Sequence, residues 1–289
     1  MATLTQTPFF PQQEALAFKK LLVAYDFSPY AQVALEYALD LAGRQNAEIT
    51  LLHVEPSATV ERQDRTLDDL RKRYGKQGIT MTFLRQSGPV GEVISRAVAE
   101  LDPDVLFLGG YGNDRQDRKV LGSTAELLLR TLPCPLVLVG PKAIKQMPDP
   151  ADPEKIICPI DFPDDVHDRL AIIARFAKAL KADVQMVHAV DVQHELSRPH
   201  SAADTQFEFD LLVSHLLRAG VAAQSTLLYG TPEEVIAERA GQTKAHYIMF
   251  GMHKDGNFSS FYRKSLVARV IKMAPCAILA FPQVPREGM

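Results

Sequence analysis

Three glycines and two hydroxyl residues in the first half of the chain have the types and spacing that suit anion binding. Gly109 and Gly112 follow an apolar run, and after nine more residues Gly122, Ser123 and Thr124 precede the leucine-rich segment AELLLR. Glycine lets the backbone approach a ligand closely, and a helix start offers N–H groups without intrahelical acceptors and about half a positive charge. The order of strand, glycine turn, loop and helix start therefore favours a phosphate site.

The same residues also have an interpretation that needs no ligand. Glycines after a strand are common turn residues, and Ser123 with Glu126 three positions later fits a capping box. Local features alone leave both interpretations open. The sequence has no G-x-x-x-x-G-K-[ST] loop and no group of a base with metal ligands beside the glycines, so we assign no catalytic residue and no metal site.

Apolar runs that alternate with helical patterns must position these residues. Ser28 and Pro29 predict the N-cap and first position of a helix that ends near Gly43, and residues 91–101 predict another helix. The predicted strands of the first half cover residues 20–25, 47–54, 79–85, 105–108 and 135–139. Strands alternating with helices indicate an α/β fold with a parallel sheet and helices on both faces.

The pattern occurs twice along the chain. LLVAYDFSP at 21–29 matches IICPIDFPD at 156–164, an offset of 135, and PCPLVLV at 133–139 matches PCAILAF at 275–281, an offset of 142. A proline-rich segment without periodicity separates the copies. We therefore predict an N-terminal extension (1–18), a first domain (19–140), a linker (141–154) and a second domain (155–283).

Composition limits the class of protein and its partners. A chain with 46% hydrophobic and 23% charged residues is typical of a globular protein, and a net charge of −3 gives no reason to expect nucleic acid or an anionic membrane as a partner. No apolar run reaches the ~18 residues of a membrane span, and the N-terminus lacks a signal-peptide pattern. We predict a cytoplasmic protein. The three cysteines lack close metal-ligand spacing, so we expect free thiols.

The glycine spacing resembles the nucleotide-binding signature of the universal stress protein family, and the likeness extends from about Lys19 to Pro282. The resemblance implies two tandem Rossmann-like domains, each with a five-stranded parallel sheet of order 3-2-1-4-5. It also implies a nucleotide at the carboxyl ends of strands 1 and 4. Strand order reverses between those two strands, and that is where open α/β sheets form a crevice.

The resemblance also implies a role for each matching residue. Asp26 corresponds to the acidic residue near the adenosine, and Val54 to the position whose backbone bonds the adenine edge. Gly109 and Gly112 would line the ribose and first phosphates. The outer phosphates would be held by the remaining signature residues, Gly122, Ser123 and Thr124.

The resemblance implies a function and partners, for which three hypotheses are open. The first hypothesis is a stress-response or signalling protein that binds ATP, with ADP or AMP as alternatives and Mg²⁺ as an optional companion, and without robust turnover. The second is a slow ATPase or nucleotidyl transferase, and the third a ligand-free structural or partner-binding protein. The apolar last strands of the two halves would otherwise be sheet edges, so we expect them to pair as an intramolecular pseudodimer. Further homodimerisation is open.

The second copy of the signature is altered. At the offset of 142, Gly109 corresponds to Gly251 and Ser123 to Ser265, but Gly112 and Gly122 both correspond to lysines, Lys254 and Lys264. Ala189 stands where the first half has Val54. The bulk of two lysines at positions of close approach predicts that only the first half binds nucleotide.

Overall fold

The computed structural model of the chain describes residues 18–55, 78–112, 121–131, 134–145, 152–160, 166–190, 202–252 and 258–282, with residues 70, 72, 74 and 149. Most of the predicted extension, the loop between Gly112 and Leu121, and most of the charged stretch before Gly78 lie outside these residues. Lys254 also lies outside them, as does the side chain of Lys264.

Within the described residues the chain alternates strands with helices. The strands are β1 (Lys20–Ala24), β2 (Glu48–Glu55), β3 (Met81–Ser87), β4 (Val105–Gly109), β5 (Leu136–Val139), β6 (Lys155–Pro159), β7 (Asp183–Val190), β8 (Ala223–Tyr229), β9 (Tyr247–Met252) and β10 (Ala277–Pro282). The helices are α1 (Pro29–Gln45), α2 (Val90–Leu101), α3 (Ser123–Thr131), α4 (Val166–Leu180), α5 (Ala202–Arg218), α6 (Pro232–Thr243) and α7 (Phe258–Met273).

All ten strands form one sheet, in the order β3-β2-β1-β4-β5-β10-β9-β6-β7-β8. Each half contributes five parallel strands in the order 3-2-1-4-5, so the predicted α/β fold with two tandem copies is confirmed. Strands of the two halves correspond at the offsets seen in the sequence. Glu48–Glu55 and Asp183–Val190 are 135 residues apart, and Met81–Ser87 and Ala223–Tyr229 are 142 apart.

The central strands are apolar on both faces because helices cover both sides of the sheet. In β4 the residues from Val105 to Leu108 are all buried, and their side chains alternate between two core clusters. The predicted continuous apolar run at 105–108 therefore corresponds to a strand without a solvent-facing side. The three cysteines are buried and are not joined by disulfides.

The two halves join in the middle of the sheet through their last strands. β5 and β10 pair antiparallel, with Leu138 opposite Ile278 and Leu136 opposite Ala280. Every other pair of adjacent strands is parallel. Neither apolar strand is an edge, which removes the aggregation risk of unpaired apolar strands.

Helix α1 of the first half also contacts the second half. The Ala277 backbone N–H donates to the Tyr37 hydroxyl at 3.2 Å, and the Phe18 and Phe176 rings lie 5.3 Å apart. Arg44 forms an ion pair of 2.5 Å with Glu154, whose side chain is almost fully buried. A shared core thus connects the halves in addition to the sheet, and the partly exposed Arg44 joins α1 to Glu154 at the end of the predicted linker.

Candidate functional site

β1 and β4 are neighbours, and the strand order reverses between them, which is where open α/β sheets form a crevice at the carboxyl ends of the strands. β2 and β3 continue from β1 on one side, and β5 follows β4 on the other. Asp26 follows β1 and is exposed at this edge. A Cβ atom added to Gly112 would lie 3.9 Å from Asp26 Oδ2, so the structure brings these two predicted residues together.

A tight turn holds Asp26 at the crevice. The Ser28 backbone N–H donates to Asp26 Oδ1 at 2.9 Å, and the Ser28 hydroxyl accepts from the Ala31 N–H at 3.0 Å as the N-cap of α1. This confirms the predicted cap and the proline after it. The cap orients the first turn of α1 towards β4.

Phe27 lies in the same turn and has a left-handed backbone conformation. Its φ is +60°, which is costly for a bulky side chain, and its ring packs on those of Tyr25 (5.1 Å) and His53 (4.8 Å). A left-handed residue is expected to be glycine or asparagine, so no sequence pattern predicts this conformation for Phe27. The aromatic contacts hold the turn that presents Asp26.

The glycines at the end of β4 have packing roles. A Cβ atom on Gly109 would lie 2.8 Å from Tyr30 Cβ and 3.0 Å from the Ala31 nitrogen. One on Gly110 would lie 2.7 Å from Ile271 Cδ1. Gly109 is therefore required by close packing against α1, whereas Gly110 meets the movable end of an α7 side chain.

Gly112 and Gly122 have no such packing requirement among the described residues. A Cβ atom on Gly122 would meet its nearest described atom, the Gly110 oxygen, at 3.4 Å, which is an ordinary contact. Neither residue has a positive φ. Nothing in the described part of the protein thus requires glycine at these two positions.

The start of α3 differs from the capping-box interpretation. The Glu126 N–H donates to the Gly122 oxygen at 2.9 Å, so Gly122 is the cap residue and Ser123 the first helical residue. The interpretation is wrong because a capping box needs the hydroxyl residue at the cap. The Gly122 N–H donates to the Gly110 oxygen, whereas the N–H groups of Ser123 and Thr124 belong to the first helical turn, where no intrahelical acceptor exists.

Val54 lies near the end of β2, beyond the part of that strand that pairs with β1. Its side chain is buried, but successive peptide groups of a strand point to alternate sides. The Leu52 oxygen accepts a hydrogen bond from the Tyr25 N–H, so the peptide groups of Leu52 point towards β1. Val54 comes two residues later, so its peptide N–H and C=O groups point to the same side, beyond the last residue of β1. Next to it, the buried Glu55 carboxylate forms an ion pair of 2.6 Å with Arg85.

His53 and His188, which correspond at the offset of 135, occupy equivalent buried positions in the two halves. His53 Nδ1 lies 2.7 Å from the Tyr25 oxygen, and His188 Nδ1 lies 2.9 Å from the Ile160 oxygen. Both rings are buried at corresponding places of the two halves. Their contacts hold the end of the first strand to the second strand in each half.

Tyr111 is a buried residue of the glycine turn that sequence analysis did not select. Its ring lies 5.5 Å from that of Tyr30, and burial followed by the charge of Tyr30 raises the pKa of its hydroxyl to about 12. Among the described residues, this buried hydroxyl has no hydrogen-bond partner. In the part of the chain that the structure describes, no three His, Cys, Asp or Glu residues are placed to hold a metal ion.

Comparison with known proteins identifies the fold and the repeat. A sequence model of the universal stress protein family matches residues 17–140 and again residues 153–282. The chain belongs to the universal stress protein family. The double match supports the tandem repeat that the offsets predicted.

Relatives in this family correspond to about half of the chain. A putative universal stress protein of Staphylococcus haemolyticus is 27% identical over 158 residues, which cover 48% of this chain and 96% of that protein. Universal stress protein A of Salmonella typhi is 30% identical over 140 residues, covering 43% of this chain and 95% of that protein.

A solved structure resembles both halves together. A universal stress protein from Archaeoglobus fulgidus superimposes with a TM-score of 0.70 at 17% identity, covering 93% of this chain and 99% of that chain. At this identity the likeness concerns the fold.

Among the described helices, none has the length and apolar character needed to cross a membrane.

Proposed function

We propose that this universal stress protein binds one adenine nucleotide in the crevice of its first half. The single observation that carries the proposal is the contrast within the glycine turn. Gly109 is required by packing, but Gly112 and Gly122 have no described neighbour that requires glycine. Close approach of a ligand is a reason for glycine at such positions.

The described contacts support a role for each predicted residue. The proposal assigns the adenine edge to the peptide groups of Val54, which lie beyond the paired part of β2, and a place near the adenosine to exposed Asp26. Gly112 and Gly122 provide space for the backbone to meet the ligand. Ser123 and Thr124 provide first-turn N–H groups, hydroxyls and the positive end of the α3 dipole for the outer phosphates.

ATP is the first candidate ligand, with ADP and AMP as alternatives, since adenine and ribose contacts serve all three. Mg²⁺ would accompany the phosphates. The biological role we propose is stress response or signalling in the cytoplasm, in which occupancy changes stability or partner choice without robust turnover. The β5–β10 pairing supports an intramolecular pseudodimer with domains at 19–140 and 155–283.

The test is ATP affinity in Gly122→Val. A valine would place methyl groups where a phosphate should lie, while the nearest described atom to its Cβ stays at contact distance, so the fold should persist. Gly43→Ala is the control, because Gly43 is exposed in α1 with nothing within 4 Å of an added Cβ atom. Equal ATP affinity of Gly122→Val and wild type would contradict the proposal.

Two further measurements separate the alternatives. Mass spectrometry of small molecules released on denaturation identifies the retained nucleotide, and finding none after incubation with ATP favours the ligand-free alternative. Assaying ATP consumption by the purified chain tests the second hypothesis of an ATPase or transferase.

A further inference from the structure

The exposed large apolar side chains of the described residues are concentrated in one place. Four are exposed, and three of them lie on helix α5: Phe207 (73% exposed), Leu211 (46%) and Leu217 (54%). The fourth, Tyr229 (62%), ends strand β8, the edge strand next to which α5 packs. Such a concentration marks an interaction surface, since single exposed apolar residues are normally scattered.

The arrangement on α5 separates an inner from an outer face. Phe209, Leu212 and Leu216 are buried and belong to the core. At about 100° per residue, Leu211 and Leu217 lie about 60° to either side of Ser214 on the opposite face. We call these outer residues, with Phe207, Asp210 and Arg218, the α5 face.

The first half lacks this face at the corresponding positions. Buried Leu70 and Tyr74 correspond to buried Leu212 and Leu216 at the offset of 142, as do Gly78 and Gly220, which both have positive φ. At that offset the residues corresponding to Phe207, Leu211 and Leu217 are Arg65, Asp69 and Gly75. The two copies therefore share their core residues and differ in outer residues, so the fold does not require apolar residues there.

We propose that the α5 face binds the α5 face of a second copy of this chain, with the two helices antiparallel. In a twofold contact, the same patch meets itself. We place the twofold axis beside Ser214. Each residue of one helix then lies at the same height along the helix pair as the residue of the other copy that is equally far from Ser214 in the opposite chain direction. Leu211 then stands level with Leu217 of the second copy, and Asp210 with Arg218 of the second copy.

The composition of the face fits this partner. An acid stands level with a base on both sides of the axis, Leu211 and Leu217 flank these charges, and the small Ser214 at the centre permits close approach. Asp210 is fixed by a hydrogen bond of 2.9 Å from Gln206 Nε2, which orients its carboxylate on the helix surface. The contact is independent of the nucleotide proposal, because it uses the opposite half of the chain.

The experiment measures the mass of the full-length chain against concentration by analytical ultracentrifugation. We expect a reversible dimer, and Leu211→Asp should raise its dissociation constant by about tenfold or more, as removal of a packed interface residue does. Because Leu211 is exposed, the variant should fold. Glu100→Arg, on the exposed side of α2, is the control and should leave the dimer unchanged.

A charge exchange tests the predicted pairing directly. Asp210→Arg alone and Arg218→Asp alone should each weaken the dimer, and the double variant should restore it. A wild type that stays monomeric, a dimer insensitive to these changes, or a double variant as weak as the single ones would overturn the proposal. The proposal would also be overturned if the chain stayed monomeric and sedimented with vesicles of anionic phospholipid through its α5 face.

Discussion

The backbone N–H of Gly122 donates a hydrogen bond of 2.9 Å to the carbonyl oxygen of Gly110. This bond closes the loop that leaves β4 and fixes the start of α3 beside the end of the strand. It also occupies the Gly122 N–H, so Gly122 contributes space to the crevice, and the donors available to an anion belong to Ser123 and Thr124.

The number of nucleotide sites is the first prediction. Isothermal titration with ATP should give one site per chain, unchanged in Lys264→Ala and absent in Gly122→Val. The reason is that lysines replace both glycines of close approach in the second half. Two equivalent sites in the wild type would show that the second crevice is intact.

The glycines of the turn should differ in their effect on stability. Gly109→Ala should lower the free energy of unfolding by about 1–3 kcal/mol, because its methyl group would lie 2.8 Å from Tyr30 Cβ. Gly112→Ala should change it by less than about 0.5 kcal/mol, since the nearest described atom is 3.9 Å away. Urea unfolding of both variants measures the difference, and equal losses would show that our distinction is wrong.

The cap of α1 gives a third prediction. Ser28→Ala should lower the free energy of unfolding by about 1 kcal/mol, because the Ala31 N–H loses its acceptor. Ser95→Ala is a suitable control, since the Ser95 hydroxyl donates to the Gly91 oxygen within helix α2 and caps nothing. Thermal unfolding should show a lower midpoint for Ser28→Ala alone.

The buried Glu154 predicts a pH dependence of stability. Burial raises its pKa above the ordinary value of 4.5, although His246 and Arg44 act in the opposite direction. The folded state therefore binds this proton more tightly than the unfolded state, and stability should fall as pH rises from about 4.5 through the raised pKa. Above that pKa the contribution of Glu154 to the free energy of unfolding no longer changes with pH.

Glu154→Gln should remove this fall in stability from the pH profile. The measurement is urea unfolding at a series of pH values for both proteins. Glu100→Gln, at an exposed position of α2, should keep the wild-type profile. A Glu154→Gln profile parallel to wild type would mean that Glu154 binds its proton equally in both states.

Much of the fold could be predicted from the sequence because its signals are local. The apolar run at 105–108, the Ser28–Pro29 helix start and the two offsets of the repeat each depend on residues close in the chain. Parallel order then follows from the alternation of strands and helices. The glycine spacing likewise predicts the nucleotide site, which stays a prediction.

Other features depend on segments far apart in the chain, and only the tertiary structure decided them. Gly109 and Gly112 look alike in sequence, but only Gly109 is packed against α1. The left-handed Phe27 and the exposed side of α5 also had no local signal. Tyr37 and Ala277 form a hydrogen bond across 240 residues. Sequence patterns report periodicity within an element, whereas the neighbours of a side chain are set by how distant elements pack.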